Sequence, residues 1–278
     1  MEAGVTTVPA GGDAILRANA FPRPQRSSGL QIRLLFGCYL LFALNPAFAG
    51  MADVWSVAIK APASVPNLQV PPELMPALHF QQTFLKILAY QKDSQNTPDW
   101  VGELRGFIAA DRPEDVVSHG VAEVARAWLA RVNLLKIDAQ LHQYYRRQVR
   151  FPEQFSEIEQ SLPEPLRRDP WGASWVYKTS APQGMGKLSG QRYTIGPALY
   201  PDLKPLKVSV GDRNPARPEG TLSIQSLGGK VALEIRSPTT AATLQPGGKF
   251  GDFTLLYLGK DWALFASRDQ IFALTITN

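Results

Sequence analysis

Apolar residues recur every three or four positions in two long segments of the chain, which is the spacing of an amphipathic helix. The first segment, Glu73–Lys92, starts beside a pair of prolines, and the second is Val116–Val149. A shorter helix is predicted between them, at Trp100–Ala110. The apolar positions of the first segment are Leu74, Leu78, Phe84, Leu85, Leu88 and Ala89. In the second, one stripe contains Val121, Val124, Trp128, Val132 and Leu135, and a neighbouring stripe contains Leu134, Ile137, Leu141 and Tyr145.

Short runs rich in β-branched and aromatic residues follow the long helix. Ser174–Lys178 and Gln191–Ile195 predict two strands on which that helix packs. After Gly220, further runs are separated by turns rich in glycine or aspartate, which predicts a small antiparallel sheet or a half-open barrel. These runs are Thr221–Leu227, Lys230–Arg236, Phe253–Leu258, Trp262–Ser267 and Gln270–Thr277. The predicted fold class is α+β: a long helix packed on a small antiparallel sheet, followed by a small all-β domain.

The most apolar run of the chain lies near its N-terminus. Leu34–Leu44 follows a basic residue, Asn45-Pro46 breaks the helical pattern, and Ala47-Phe48-Ala49 matches a signal-peptidase site. We therefore expect export, with cleavage after Ala49. The uncharged stretch 34–52 is at the lower edge of membrane-spanning length, so an uncleaved anchor in the inner membrane stays open. A lipoprotein box ending at Cys38 is a third alternative.

These patterns divide the chain into predicted segments. Residues 1–29 read as coil without a repeating pattern, and an over-long start with translation from Leu30 would explain them. The other segments are a signal peptide or anchor at 30–49, a proline-rich linker at 50–72, a helical domain at 73–200, a second linker at 201–219 and a small β domain at 220–278.

Composition and charge narrow the class of protein. The chain has 278 residues, 45% of them hydrophobic, which is ordinary for a folded protein. The net charge is +5, and part of the excess lies before residue 50, so the rest is nearly balanced and gives no ground for nucleic-acid binding. Cys38 is the only cysteine, which excludes a disulfide or a cysteine-based metal site after cleavage at Ala49.

Asp169-Pro170-Trp171-Gly172 has the residue order of a type I turn, with Asp first, Pro second and Gly last. Such a turn would direct Trp171 into the groove between the long helix and the sheet. We interpret the tetrapeptide as a turn with a core anchor, and the alternative is a direct contact with a substrate.

Residues with catalytic chemistry are scattered. His79, His119 and His142 are isolated, and no HExxH or GxSxG sequence occurs. We therefore expect no catalytic residues, no metal and no cofactor, although an enzyme with a dispersed active site stays a less favoured alternative.

The order of features from Tyr144 to Gly196 resembles the globular domain of type II secretion major pseudopilins and type IV pilin-like proteins. A helix end with two tyrosines runs into Phe151-Pro152, a short helical segment, the Asp169–Gly172 turn and aromatic strands. The resemblance covers about 134–201 and implies a pilin-like α+β domain. Those families carry an acidic calcium loop, but the matching residues 193–202 hold one carboxylate. Because Ca²⁺ takes six to eight oxygen ligands, we expect no metal there.

The strand order of 220–276 resembles, more weakly, the homology-region domain of type II secretion inner-membrane clamp proteins. That pattern is a strand, a Pro-Gly-rich approach, a hydrophobic strand, a turn and two closing strands. Together the two resemblances imply a part of a secretion or pilus-like machine.

The expected function is that of a non-enzymatic, periplasmic component that binds other envelope or secretion-system proteins. The alternative is a free or membrane-anchored periplasmic binding module without a secretion role. The expected partner surface comprises Tyr144, Tyr145, Arg146, Arg147 and Trp175, together with exposed strand edges of the β domain that add a strand from a partner. For the cluster Arg146, Arg147 and Arg150 we favour an interaction with the helix C-terminal dipole on a solvated face, and an acidic partner surface is the alternative.

Overall fold

The computed structural model describes residues 70–92, 100–180, 191–206, 218 and 220–276. These residues belong to one compact unit, Phe48–Asn278. The predicted extension at 1–29, the signal at 30–49 and nearly all of the linker at 50–72 lie outside the described residues. Within the described part, no helix combines the length and the apolar character that crossing a bilayer requires.

The helices are close to those predicted. A 3₁₀ turn at Pro72–Leu74 leads into α1 (Met75–Lys92), and α2 (Trp100–Ala109), α3 (Val116–Gln148), α4 (Ser156–Glu159) and α5 (Glu164–Arg167) follow. The predicted apolar face of α1 is partly wrong, because Leu85 is 41% exposed. The buried positions of α1 include Ala77, Phe80 and Ile87.

The ends of α3 follow from its flanking residues. The Asp115 carboxylate accepts hydrogen bonds from the backbone N–H of Val117 at 3.0 Å and of Ser118 at 3.3 Å, which is N-terminal capping. At the other end Val149 has φ +56°, a left-handed conformation, and its N–H donates to Tyr145 O. A β-branched residue rarely adopts that conformation, so the last turn of α3 is strained.

Nine strands form three antiparallel sheets in the described part of the chain. β1 and β2 form a hairpin, β3, β4 and β5 form a three-stranded sheet, and β6 to β9 form a four-stranded sheet in sequence order. Two short strands, β5 and β6, were not predicted. The strands are β1 (Val176–Thr179), β2 (Tyr193–Gly196), β3 (Thr221–Leu227), β4 (Lys230–Arg236), β5 (Ala241–Leu244), β6 (Lys249–Phe250), β7 (Phe253–Leu258), β8 (Trp262–Ala266) and β9 (Ile271–Thr275). The α+β class is confirmed.

The four-stranded sheet is a middle layer. Every residue of β8 is buried, and its side chains alternate between two cores. Trp262 and Leu264 pack with the helices, whereas Ala263 and Phe265 pack with the three-stranded sheet. We call the first the sheet core, formed by Leu74, Phe80, Ile87, Trp100, Leu104, Val121, Val124, Trp128, Leu256, Trp262, Leu264 and Ile271. The second is the outer core, formed by Leu233, Ile235, Leu244, Leu255, Ala263, Phe265 and Ile276.

A glycine permits the close approach of α3 to the middle layer. A Cβ atom at Gly120 would lie 2.3 Å from a methyl carbon of Leu256 on β7. The helices and the last three strands therefore share one core.

A third cluster lies at the other end of α3. This hairpin core is formed by Ala130, Leu134, Ile137, Leu141, Phe151, Ile158, Leu162, Leu166, Trp175 and Leu203, with aromatic residues of β1 and β2 packed against it. The predicted linker at 201–219 begins as packed structure, because Leu203 and Leu206 are both buried. α3 thus joins two cores, one along each half.

Candidate functional site

The predicted turn at 169–172 is built around a buried carboxylate. The Gly172 N–H donates to Asp169 O at 2.9 Å, and Gly172 has φ +86°, which favours glycine. Asp169 is 4% exposed, and its carboxylate accepts from the backbone N–H of Trp171, Ala173 and Ala198 at 2.9–3.0 Å. The carboxylate therefore holds the turn against the segment after β2 through three backbone hydrogen bonds.

Trp171 lies against α3, at a shallower depth than expected. Its Nε1 donates to the Glu123 carboxylate at 2.9 Å, and its ring meets the Tyr200 ring edge-on at 5.5 Å. The side chain is half-buried at the margin of the hairpin core. The deep position belongs to Trp175, whose Nε1 donates to Leu166 O at 2.9 Å.

Trp175 was expected on an accessible partner surface, and that expectation is wrong. The residue is 5% exposed and is a member of the hairpin core. Trp175 lies in the predicted strand Ser174–Lys178, and alternation along a strand does not show which of its two faces is buried.

A polar network runs from Trp171 along the start of α3. Arg126 binds Glu123 at 2.6 Å and Asp111 at 2.7 Å, and Asp111 also contacts His119 Nδ1 at 3.0 Å. Burial alone would raise the pKa of Asp111, but hydrogen bonds from Arg126 and His119 lower it below its ordinary value. The network fixes the start of α3 to the loop before it.

A second polar contact, which sequence reasoning missed, joins α3 to the turn after β8. Arg131 is 4% exposed; it pairs with Asp269 and donates to Lys204 O at 3.0 Å. Its guanidinium carbon lies 5.2 Å from the centre of the Trp128 ring, and Trp128 Nε1 donates to Asp269 O at 2.8 Å. No local sequence signal links residues so far apart.

The remaining predicted surface residues gather at the C-terminal end of α3. We call this region the α3 tip, formed by Tyr144, Tyr145, Arg146, Arg147, Val149 and Arg150. Arg146 and Arg147 are exposed, Val149 is 79% exposed, and the Tyr145 ring packs 4.7 Å from Phe151. The tip therefore presents basic groups around an exposed aliphatic side chain.

Tyr144 and Glu157 are coupled at the edge of the tip. The Tyr144 hydroxyl donates to Glu157 at 2.6 Å, and Arg150 reaches the same carboxylate at 3.3 Å. The hydrogen bond raises the pKa of Tyr144 and lowers the pKa of Glu157. Glu157 also accepts from the backbone N–H of Glu153 and Gln154, so it joins α4 to the loop before it.

Two tyrosines of the hairpin titrate outside their ordinary range. Burial, with weaker repulsion from Glu157 and Tyr144, raises the pKa of Tyr177 to about 12. Burial also raises the pKa of Tyr193, whose hydroxyl donates to Asp138 on α3. Both hydroxyls hold the hairpin against its surroundings, because Tyr177 donates to Pro152 O at 2.9 Å.

The histidines do not converge, and within the described residues no group of three or more His, Cys, Asp or Glu side chains could hold a metal ion. His119 contacts Asp111, and His142 lies 3.7 Å from Asp138. A shallow groove is lined by Glu159, Gln160, Glu164, Arg167 and Arg168. The groove is open to solvent, is lined by both acidic and basic side chains, and places no nucleophile beside a base.

Comparisons with family models, curated proteins and solved structures gave no match to this chain. The two resemblances described above therefore stay predictions from the sequence.

Proposed function

We propose that the chain is a non-enzymatic, exported component of a type II secretion or type IV pilus-like assembly and acts through protein–protein contacts. The observation that carries the proposal is the packing of the second half of α3 on the β1–β2 hairpin, with the Asp169–Gly172 turn between them. That order of elements is the one the pseudopilin resemblance implies.

The state of the polar side chains supports a structural component. Asp169 accepts three backbone hydrogen bonds, Arg126 binds two carboxylates, and Arg131 is enclosed by Asp269, Lys204 and Trp128. The polar atoms that a catalytic role would require are used instead in hydrogen bonds and ion pairs that stabilise the fold.

The α3 tip is the surface we assign to binding. Arg146 and Arg147 are exposed beside Val149, and a basic surface with an apolar centre is suited to an acidic partner surface that has an apolar contact of its own. Alignment of these arginines with the helix dipole is compatible with this role, because it leaves the guanidinium groups accessible.

The test is co-purification of the tagged full chain with pseudopilin and clamp proteins encoded in the same genome. We expect a complex that is lost when Arg146 and Arg147 are both replaced by glutamate. A matched control replaces Arg105 and Arg112, two exposed arginines outside the tip, by glutamate and should retain the complex.

Absence of any complex, together with unchanged secretion after deletion of the gene, would overturn the proposal. Equal loss of the complex in both double variants would overturn the assignment to the α3 tip.

A further inference from the structure

β3 is an edge strand without the features that usually protect such strands. It is the outermost strand of the three-stranded sheet and pairs with β4 in unbroken register over its 7 residues. It contains no charged residue and no proline. Natural proteins commonly protect edge strands with lysine, proline, a bulge or short length. Among the described residues, no strand pairs with the outer side of β3.

The other sheet edges are short, capped or charged. β9 has 5 residues, and the Gln81 side chain donates to its Ile271 O. β6 has 2 residues and β5 has 4. β1 carries Lys178. The difference singles out β3 in the described part of the chain as a long edge that is open to another strand.

The two faces of β3 are distinct. Leu222 and Ile224 are half-buried against the outer core, whereas Ser223 and Gln225 donate to Glu234 on the opposite face. The same apolar face includes Val231 of β4, whose side chain is 58% exposed to solvent. A strand added beside β3 would therefore extend an apolar face that the monomer leaves incomplete.

We propose that a second copy of this chain covers this edge, with the two β3 strands antiparallel about a twofold axis at Ile224. This register pairs every residue of the strand. It places Leu222 opposite Ser226 of the partner subunit and Ser223 opposite Gln225 of the partner subunit, so no like charges meet. The two sheets then form one sheet of six strands.

The absence of charge is the reason for choosing a second copy over another protein. A strand without charged groups cannot select a charged partner segment, whereas a copy offers the same length and the same division into apolar and polar faces. A twofold axis also makes the contact closed, so the assembly stops at a dimer. This inference does not depend on the proposed secretion role, which the α3 tip tests separately.

Cysteine crosslinking of the full chain tests the register. In a Cys38→Ser background, Ile224→Cys places the two Cβ atoms about 5 Å apart across the axis, near disulfide distance. The matched control is Val231→Cys, which is more exposed but lies about 20 Å from its counterpart, since three strand spacings and an offset of about four residues along the strand separate them. We expect mild oxidation to give at least about tenfold more covalent dimer for Ile224→Cys than for Val231→Cys.

Co-purification of two differently tagged full-length copies gives an independent readout that keeps Ile224 intact. Ser223→Lys with Gln225→Lys sets like charges opposite each other across the axis and should reduce recovery of the second copy at least about tenfold. Thr239→Lys, in the turn that leads into β5, with Thr243→Lys on β5 at the opposite edge of the sheet, should leave recovery unchanged.

Circular dichroism checks that each variant is folded. The proposal is overturned if the two tagged copies do not co-purify, if Val231→Cys crosslinks as well as Ile224→Cys, or if both lysine pairs reduce recovery equally.

Discussion

The two halves of α3 pack in cores made from different kinds of contact. In the sheet core, Trp128 donates to Asp269, 141 positions along the chain. In the hairpin core, Trp175 donates to Leu166, 9 positions away, and Tyr193 binds Asp138, 55 positions away. The hairpin core can therefore assemble from neighbours in sequence, whereas the sheet core needs the C-terminal strands to return to the helices. A single helix thus couples a locally formed region to one formed by distant contacts.

The largest expected effect comes from removing the indole that both packs and hydrogen-bonds in the sheet core. Trp128→Ala should lower the free energy of unfolding by about 3–5 kcal/mol, because it leaves a cavity and releases Asp269 and Arg131. Urea denaturation followed by circular dichroism measures the change. Trp128→Phe, which keeps an aromatic ring, should cost less, and equal losses for the two variants would show that the contacts of the indole do not matter.

The turn at 169–172 gives the next largest effect, now in the hairpin core. Asp169→Ala leaves three partly buried backbone N–H groups without their acceptor, and the full penalty of about 1–3 kcal/mol per unpaired group applies only to a fully buried one. We expect a loss of about 2–3 kcal/mol in the same assay.

Asp169→Asn keeps one side-chain oxygen and should lose about half as much. A loss under about 0.5 kcal/mol for Asp169→Ala would contradict the role of the carboxylate in holding the turn.

Alkaline titration tests the burial of the hairpin tyrosines. The folded pKa of Tyr177 is raised to about 12, so its contribution to stability is complete below about pH 10 and is lost as pH rises through 12. Absorbance at the phenolate band should show delayed ionisation in the folded chain. In Tyr177→Phe the late ionisation should lose the contribution of one tyrosine and keep that of Tyr193, whose pKa is also raised. Ionisation of every tyrosine near its ordinary value would contradict the buried hairpin.

The smallest effect is expected at the α3 tip. Tyr144→Phe removes an exposed hydrogen bond to Glu157 and should change the thermal midpoint of unfolding by no more than a few degrees, because exposed polar contacts contribute little. A change as large as that of Asp169→Ala would mean that the tip belongs to the hairpin core.

Much of the local structure could be predicted from the sequence, and the reasons lie in particular residues. Asp115 marks the start of α3, and glycine and aspartate turns delimit most of the C-terminal strands. β5 and β6 were not predicted, because Ala241–Leu244 and Lys249–Phe250 are too short to show the alternation of apolar and polar residues that marks a strand. Which indole is buried could not be read from spacing, because Trp171 turns toward Glu123 and Trp175 takes the core position.

The coupling of Arg131 to Asp269 was beyond prediction for a different reason. Nothing in either local sequence indicates the other residue, and the contact exists only once the middle sheet packs on the helices. The same limit applies to the C-terminal strands, since the second buried face of their four-stranded sheet is visible only with the helices in place.

Backbone hydrogen exchange of the full chain, compared between the natural sequence and Trp128→Ala, tests the central claim most directly. If the helices and the four-stranded sheet form one cooperative core, the first half of α3 and β8 should lose protection together in the variant, while β1 and β2 keep more of theirs. The claim would be contradicted if the first half of α3 lost protection in the variant while the protection of β8 stayed unchanged.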